Sequence, residues 1–304
     1  MRAVRIHKSG GSEGLVLEDA PLPYAATGDV VVRVHAASFV PDELDWPGTW
    51  VDRAGRDRTP SIPAHEVAGV VTEVRYGTPG LAVGDRVFGL TDWHRNGAAA
   101  EFVAVEARNL ARIPPSLTFA QAAALPLAGL TAWQGLFVHG GLEAGQTVVV
   151  HGAGGGTGTL AVQLAHQAGA HVIATGRGRA AGLAAEMGAQ TFVDLERDQF
   201  DEAVEPVDLI FDTIGGDLLA RSAQKIKPGG ALVSITAPPP VHPEAGRAVF
   251  FIVEPNRDQL TELALRAESG RFLPHVGAVY PLAEAREAFQ AKQKGVLGKV
   301  VLEI

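Results

Sequence analysis

The sequence predicts an α/β protein with two domains: a strand-rich domain formed by residues 1–119 together with 272–304, and a doubly wound parallel-sheet domain over 120–271. Three observations lead there. Before residue 115, β-branched residues alternate or run on between glycine turns; from about 120 to 270, short apolar strands alternate with helical stretches; and at 147–162 a β-branched run passes through a glycine cluster into a helix. Strands alternating with helices imply a parallel sheet covered on both faces, whereas strands separated only by turns imply a barrel or sandwich.

In the first part, Val30, Val32 and Val34 alternate with Val31, Arg33 and His35, and 67–74 is a second β-branched run. Thr27-Gly28-Asp29 and Val83-Gly84-Asp85 are turn signals between strands. The parallel sheet is expected from strands at 147–150, 171–174, 208–211, 231–235 and 249–253. Asn256 can cap a following helix, with Gln259 as its capping-box partner, Leu260, Leu263 and Ala264 on one face, and Gly270 as the stop. The proline run at 236–241 reads as a stiff loop. A further amphipathic helix covers 282–292, and Val300, Val301 and Leu302 form a last strand. So short a strand cannot stand alone, so it is expected to rejoin the first domain.

The segment around Gly152, Ala153, Gly154, Gly155, Gly156, Thr157 and Gly158 carries the main chemical signal. Read from Ala153 it is A-x-G-x-x-G between a strand and a helix, the context in which such a turn lets backbone approach a pyrophosphate. The helix N-terminus then faces the phosphates. Leu160, Ala161, Leu164, Ala165 and Ala168 give that helix an apolar face, and Gly169 suits a left-handed C-cap. After the second strand there is no acid to bond a ribose 2′-OH. Gly176, Arg177 and Arg179 stand there instead, and guanidinium groups suit a 2′-phosphate, so NADPH is the expected cofactor.

Composition bounds the rest. With 26 Lys and Arg against 34 Asp and Glu, the net charge of −8 disfavours a nucleic-acid partner. The 304 residues include no cysteine, so disulfides, thiolate metal ligands and a cysteine nucleophile are excluded. No stretch has the apolar length of a membrane span and the first residues lack a signal-type apolar core, so no membrane association and a cytoplasmic location are expected.

Taken together, Gly84-Asp85-Arg86-Val87-Phe88-Gly89, Ala64-His65-Glu66-Val67-Ala68-Gly69, Leu125-Pro126-Leu127-Ala128-Gly129-Leu130-Thr131-Ala132, the glycine turn, Phe211-Asp212-Thr213-Ile214-Gly215-Gly216 and Gly298-Lys299-Val300-Val301-Leu302 resemble the medium-chain dehydrogenase/reductase superfamily. The resemblance is to its zinc-free quinone oxidoreductase branch. It implies a GroES-like catalytic domain and a Rossmann cofactor domain. His65 matches a zinc ligand of metal-dependent members, but Val40 and Leu127 stand where two cysteine ligands would be, and neither side chain can bind Zn²⁺. A metal-free site follows.

The same resemblance places Thr131 at the start of a helix bordering the nicotinamide, with Thr213, Ile214 and Gly215 and the strand end Val233, Ser234 and Ile235 beside the ring. For Thr213 and Ser234, a local hydrogen bond is the competing role. Val40, Trp46, Trp50 and His94 are expected at the substrate pocket, the two tryptophans serving either as an aromatic wall or as core packing. Glu43, His65 and Thr131 are the candidate catalytic residues, with His94 a further proton-transfer candidate and solvent the alternative source of the proton.

The implied reaction is hydride transfer from NADPH to quinones or α,β-unsaturated carbonyls, acceptors reactive enough to need no metal. The alternatives are a zinc-free alcohol or ketone oxidoreductase and a non-catalytic NADPH-binding sensor or structural protein. The apolar last strand at 249–253 is expected to pair across a two-fold axis in a homodimer.

Overall fold

The computed structural model describes residues 1–40 and 42–304; Pro41 of the 40–50 segment lies outside them. The chain forms two compact units, Met1–Leu127 with Pro255–Ile304, and Ala128–Glu254.

The first unit contains β1 (Arg2–Ile6), β2 (Leu15–Asp19), β3 (Asp29–Ser38), α1 (Pro47–Trp50), β4 (Glu66–Val74), β5 (Arg86–Leu90), β6 (Phe102–Glu106), β7 (Leu110–Arg112) and α2 (Phe119–Ala123). β3 is its central strand. It pairs antiparallel with β4 along nearly its whole length and with β6 over its first half. The alternation seen in the sequence works as expected on one side: Val30, Val32 and Val34 enter a core with Val67, Val71, Val103 and Val105. α2 opens with a full capping box between Thr118 and Gln121.

The second unit begins within α3 (Pro126–Trp133), which passes into a π-helical stretch at Gln134–His139. It continues through β8 (Thr147–His151), α4 (Gly156–Gln167), β9 (His171–Gly176), α5 (Ala181–Glu186), β10 (Thr191–Asp194), α6 (Phe200–Ala203), β11 (Val207–Asp212), α7 (Gly216–Ser222), β12 (Ile226–Ser234) and β13 (Arg247–Phe250). These six strands lie in the order β10-β9-β8-β11-β12-β13, every pairing parallel. In chain order within the sheet that is 3-2-1-4-5-6, the doubly wound arrangement whose order reverses between its first and fourth strands. The centre is dry: Val148, Val149, Val150, Ile210 and Phe211 are fully buried, as a sheet covered on both faces requires.

The last strand of this sheet stops earlier than its apolar run suggests. β13 ends at Phe250; Phe251 turns onto His139 at 4.4 Å, and Ile252 is exposed. The Gln134 side-chain amide captures the backbone of Glu254, donating to its carbonyl at 2.8 Å and accepting from its N–H at 3.1 Å, which draws the chain away from the sheet.

The chain then returns to the first unit through α8 (Arg257–Glu268), β14 (Val276–Pro281), α9 (Ala285–Gln293) and β15 (Lys299–Glu303). Asn256 caps α8 by accepting from the Gln259 N–H at 3.0 Å, and Gly270 follows in the left-handed region. β15 pairs antiparallel with β3 and parallel with β14, so the closing strand completes the sheet of the first unit.

Candidate active site

In the second unit the glycine turn lies at the carboxyl end of β8, where the sheet order reverses. Gly152 and Ala153 both donate to the Thr175 carbonyl, at 3.1 and 3.0 Å, tying the turn to β9. Gly152 has φ +78°, and a Cβ there would lie 2.3 Å from Thr213 Oγ1. A Cβ on Gly158 would lie 2.1 Å from the Gly152 carbonyl oxygen, so no larger residue lets α4 pack this closely on the turn. The N-cap of α4 is Gly155, which brings no side-chain acceptor. The first N–H groups of α4 therefore face outward without an intrahelical partner, and with Gly154, Gly156 and Thr157 they form a cradle whose donors and dipole suit a pyrophosphate.

Beyond Gly176, at the end of β9, Arg177 and Arg179 are both exposed. The parallel pairing of β10 with β9 brings Glu196 to 3.9 Å from Arg177. Arg179 makes no ion pair among the described residues. The acid that the sequence lacks immediately after β9 thus arrives from the turn after β10 and shares one of the two arginines.

At the neighbouring strand ends the polar side chains turn inward. Asp212 is fully buried and accepts from the Ile214 and Gly215 N–H groups and the Ser234 and Thr236 hydroxyls. Thr213 donates to the His151 carbonyl at 2.8 Å, bridging β11 to β8. The Thr213 and Ser234 hydroxyls are therefore spent on local bonds, which leaves backbone and Ile214, 46% exposed, as the open surface of this edge. Val233 is buried in β12, and Ile235, just past its end, donates its N–H to Asp212 at 3.3 Å.

His151, beneath the turn, is a sealed structural group. Ser222 donates to the Leu218 carbonyl, so its oxygen accepts from His151 Nε2 at 2.9 Å, and Thr175 donates to Nδ1 at 2.8 Å. Burial lowers its pKa to about 4, keeping it neutral. Thr131 is also buried, but it lies near the end of α3, not at its start. The helix begins at Pro126, whose missing N–H costs nothing at a first helical position.

In the first unit, a second cluster forms around His65 at the entry to β4. Ala64 adopts φ +68°, and its N–H is donated to the Glu43 carboxyl, as is that of Val40 at 3.3 Å. Burial raises the Glu43 pKa to about 8, outweighing these bonds and the Lys299 charge. His65 Nδ1 meets the Thr91 hydroxyl at 2.7 Å, and burial lowers its pKa to about 3. The Trp93 indole stands edge-on to the His65 ring at 5.4 Å and to Trp46 at 5.3 Å. Trp50 belongs elsewhere: it packs on the core and donates to the Leu44 carbonyl at 3.0 Å. His94 is half-buried, its Nδ1 3.4 Å from the Val51 carbonyl.

The aromatic face is thus Trp46, Trp93 and His65. Nothing local in the sequence points to Trp93 and Thr91 beyond their position two residues apart just after β5. Glu66, next to His65, points the opposite way chemically: it accepts from the Leu127 N–H at 3.0 Å and pairs with Lys299 inside the core.

This set does not fit a zinc ion. Val40 and Leu127 end in hydrocarbon, and among the described residues no three His, Cys, Asp or Glu side chains converge.

Comparison with known proteins agrees with this architecture. Residues 26–115 match the alcohol dehydrogenase GroES-like domain and residues 187–302 match the zinc-binding dehydrogenase family. The chain is 33% identical to an NADPH-dependent alkenal/one oxidoreductase of the chloroplast from Arabidopsis thaliana, over 96% of its own length and 77% of the relative's. The quinone oxidoreductase from Coxiella burnetii superposes with a TM-score of 0.92 at 27% identity, covering 100% of this chain and 99% of that one. A mycobacterial protein solved in complex with NADPH gives a TM-score of 0.87 at 28% identity, with 100% of both chains covered. A doubly wound six-stranded sheet set between two pieces of a GroES-like β unit defines an oxidoreductase of the dehydrogenase type. The chain belongs to the medium-chain dehydrogenase/reductase superfamily.

Proposed function

We propose that the chain is a zinc-independent, NADPH-dependent reductase that delivers hydride to quinones or α,β-unsaturated carbonyls. The observation that carries this reading is the glycine-rich cradle at the order reversal of the parallel sheet, combined with a His65 neighbourhood in which, among the described residues, no three metal-binding side chains converge. Relatives and structural neighbours named as alkenal/one and quinone oxidoreductases support the acceptor class.

In this reading the turn and the first N–H groups of α4 hold the pyrophosphate, and Arg179, helped by Arg177, meets the 2′-phosphate. Thr131, Ile214, Gly215 and the end of β12 at Val233, Ser234 and Ile235 border the nicotinamide. When bound, NADPH supplies the hydride. Trp46 and Trp93 offer aromatic edges to a flat acceptor.

The protonation states narrow the source of the proton. His65 is a neutral imidazole near neutral pH and so no acid, since burial lowers its pKa to about 3. Glu43 does hold a proton, but its carboxyl is 2% exposed and faces the Ala64 and Val40 N–H groups. That leaves solvent or the half-buried His94 as the source of the proton, and Glu43 shapes the loop that carries Trp46.

Titrating the protein with NADPH and NADH, followed by nicotinamide fluorescence, tests the cofactor assignment. NADPH should bind about tenfold tighter or better, as expected for a charge-assisted phosphate contact. Arg179→Ala should narrow that gap more than Arg177→Ala, because Glu196 already shares Arg177. Equal binding of the two cofactors by the unsubstituted protein would refute the assignment.

A further inference from the structure

A cavity of about 560 Å³ lies within the strand-rich unit, lined among others by Arg5, Arg58, Arg95, Leu22, Tyr24 and Phe102. Its size is that of a small-molecule site. Its charge is one-sided: among the described residues no Asp or Glu side chain lines it. The acids that balance two of the arginines sit behind them, Glu18 at 3.2 Å from Arg5, and Asp29 and Glu106 at 2.7 and 3.5 Å from Arg95.

Arg58 differs from both. It is half-buried and makes no ion pair among the described residues; its guanidinium donates only to the Gly48 and Trp93 carbonyls and the Asn96 amide oxygen. The nearby carboxylates of Asp92 and Asp52 act on it only from beyond contact distance, being paired with Arg53 and Arg56. A partly desolvated guanidinium whose hydrogen bonds all go to neutral groups is a binding group for an anion.

The opposite wall is apolar and stiff. Leu22 and Tyr24 are 68% and 76% exposed, unusual for such side chains beside a cavity, and Pro21 and Pro23 restrict the backbone that carries them. Tyr24 is held in place by Arg75, which donates to its hydroxyl at 3.0 Å and lies 5.2 Å from its ring centroid.

We propose that this cavity binds a small amphipathic monocarboxylate, its carboxylate on Arg58 and its hydrocarbon along Leu22, Tyr24 and Phe102. Arg58 is the one lining arginine with no acid at ion-pair distance among the described residues, which calls for one negative charge, and the exposed rim calls for an apolar body. This goes beyond the proposed reductase reaction and does not depend on the acceptor. Because Arg58 also holds the Trp93 carbonyl, occupancy should register in tryptophan fluorescence.

Decanoate is a suitable probe, titrated calorimetrically and by tryptophan fluorescence into protein saturated with NADPH, with decanol and inorganic phosphate as controls. Saturable decanoate binding is expected, with neither control binding at the same concentrations. Arg58→Gln and Leu22→Asp should each weaken it about tenfold or more. Leu22 is exposed, so its variant keeps the test valid if Arg58→Gln fails to fold. Absence of saturation, equal binding of decanol or phosphate, or undiminished binding by Leu22→Asp would overturn the proposal.

Discussion

Glu43 and His65 show how burial decides chemistry at single residues. Both are ionisable and near one another in the fold, yet burial keeps each neutral near pH 7, raising one pKa to about 8 and lowering the other to about 3. For Glu43 the folded value lies above the unfolded one, so the stability it contributes is fully present below about pH 4.5 and is lost as pH rises through about 8. Glu43→Gln, which mimics the protonated acid, should therefore lose less thermal stability than the unsubstituted protein between about pH 6 and about pH 9. Parallel Tm curves for the two proteins across that range would show that Glu43 is ionised in the fold. The sequence marked Glu43 and His65 as candidates but carried no sign of their burial. It also gave no reason to pair His65 with Trp93 and Thr91, which meet it only when β4 and β5 align.

Elements that obey local rules were legible, and those set by distant partners were not. The strand, turn and helix at 147–167, the Asn256 cap and the Gly270 stop follow from short-range spacing and appear as expected. The end of β13 depends on the Gln134 amide, and the acid beside Arg177 depends on the pairing of β9 with β10, neither of which leaves a mark in the local sequence. Pro126 is a missed signal, since a proline at a first helical position would have put Thr131 well inside its helix. The return strand β15 is fastened at its first residue by Lys299, which is paired with Glu66 of β4 and donates to the Phe39 carbonyl at 3.2 Å. Lys299→Met would leave a buried, unpaired carboxylate and should cost about 3–5 kcal/mol in urea unfolding. Adding Glu66→Leu should recover part of that loss; a single variant as stable as the unsubstituted protein would show that the pair does not anchor β15.

On the scale of the whole molecule, the fold class was readable because two periodicities divide the chain: alternation before residue 115, and strands alternating with helices after it. Their outcomes are a mixed sheet built around β3 and an all-parallel sheet with one order reversal. That reversal turns a generic glycine cluster into a located cradle, and the proposed acceptors, being already electron-poor, are those that hydride can reach without a metal Lewis acid. Among the described residues no helix is long and apolar enough to cross a membrane. The most direct measurement of the central claim is NADPH oxidation by the purified, metal-chelated protein across a panel of benzoquinone, cyclohexenone and cyclohexanone. The account predicts steady turnover with the quinone or the enone and little with the saturated ketone, unchanged by added zinc. Turnover confined to the saturated ketone, or no turnover with any acceptor while NADPH still binds, would contradict it.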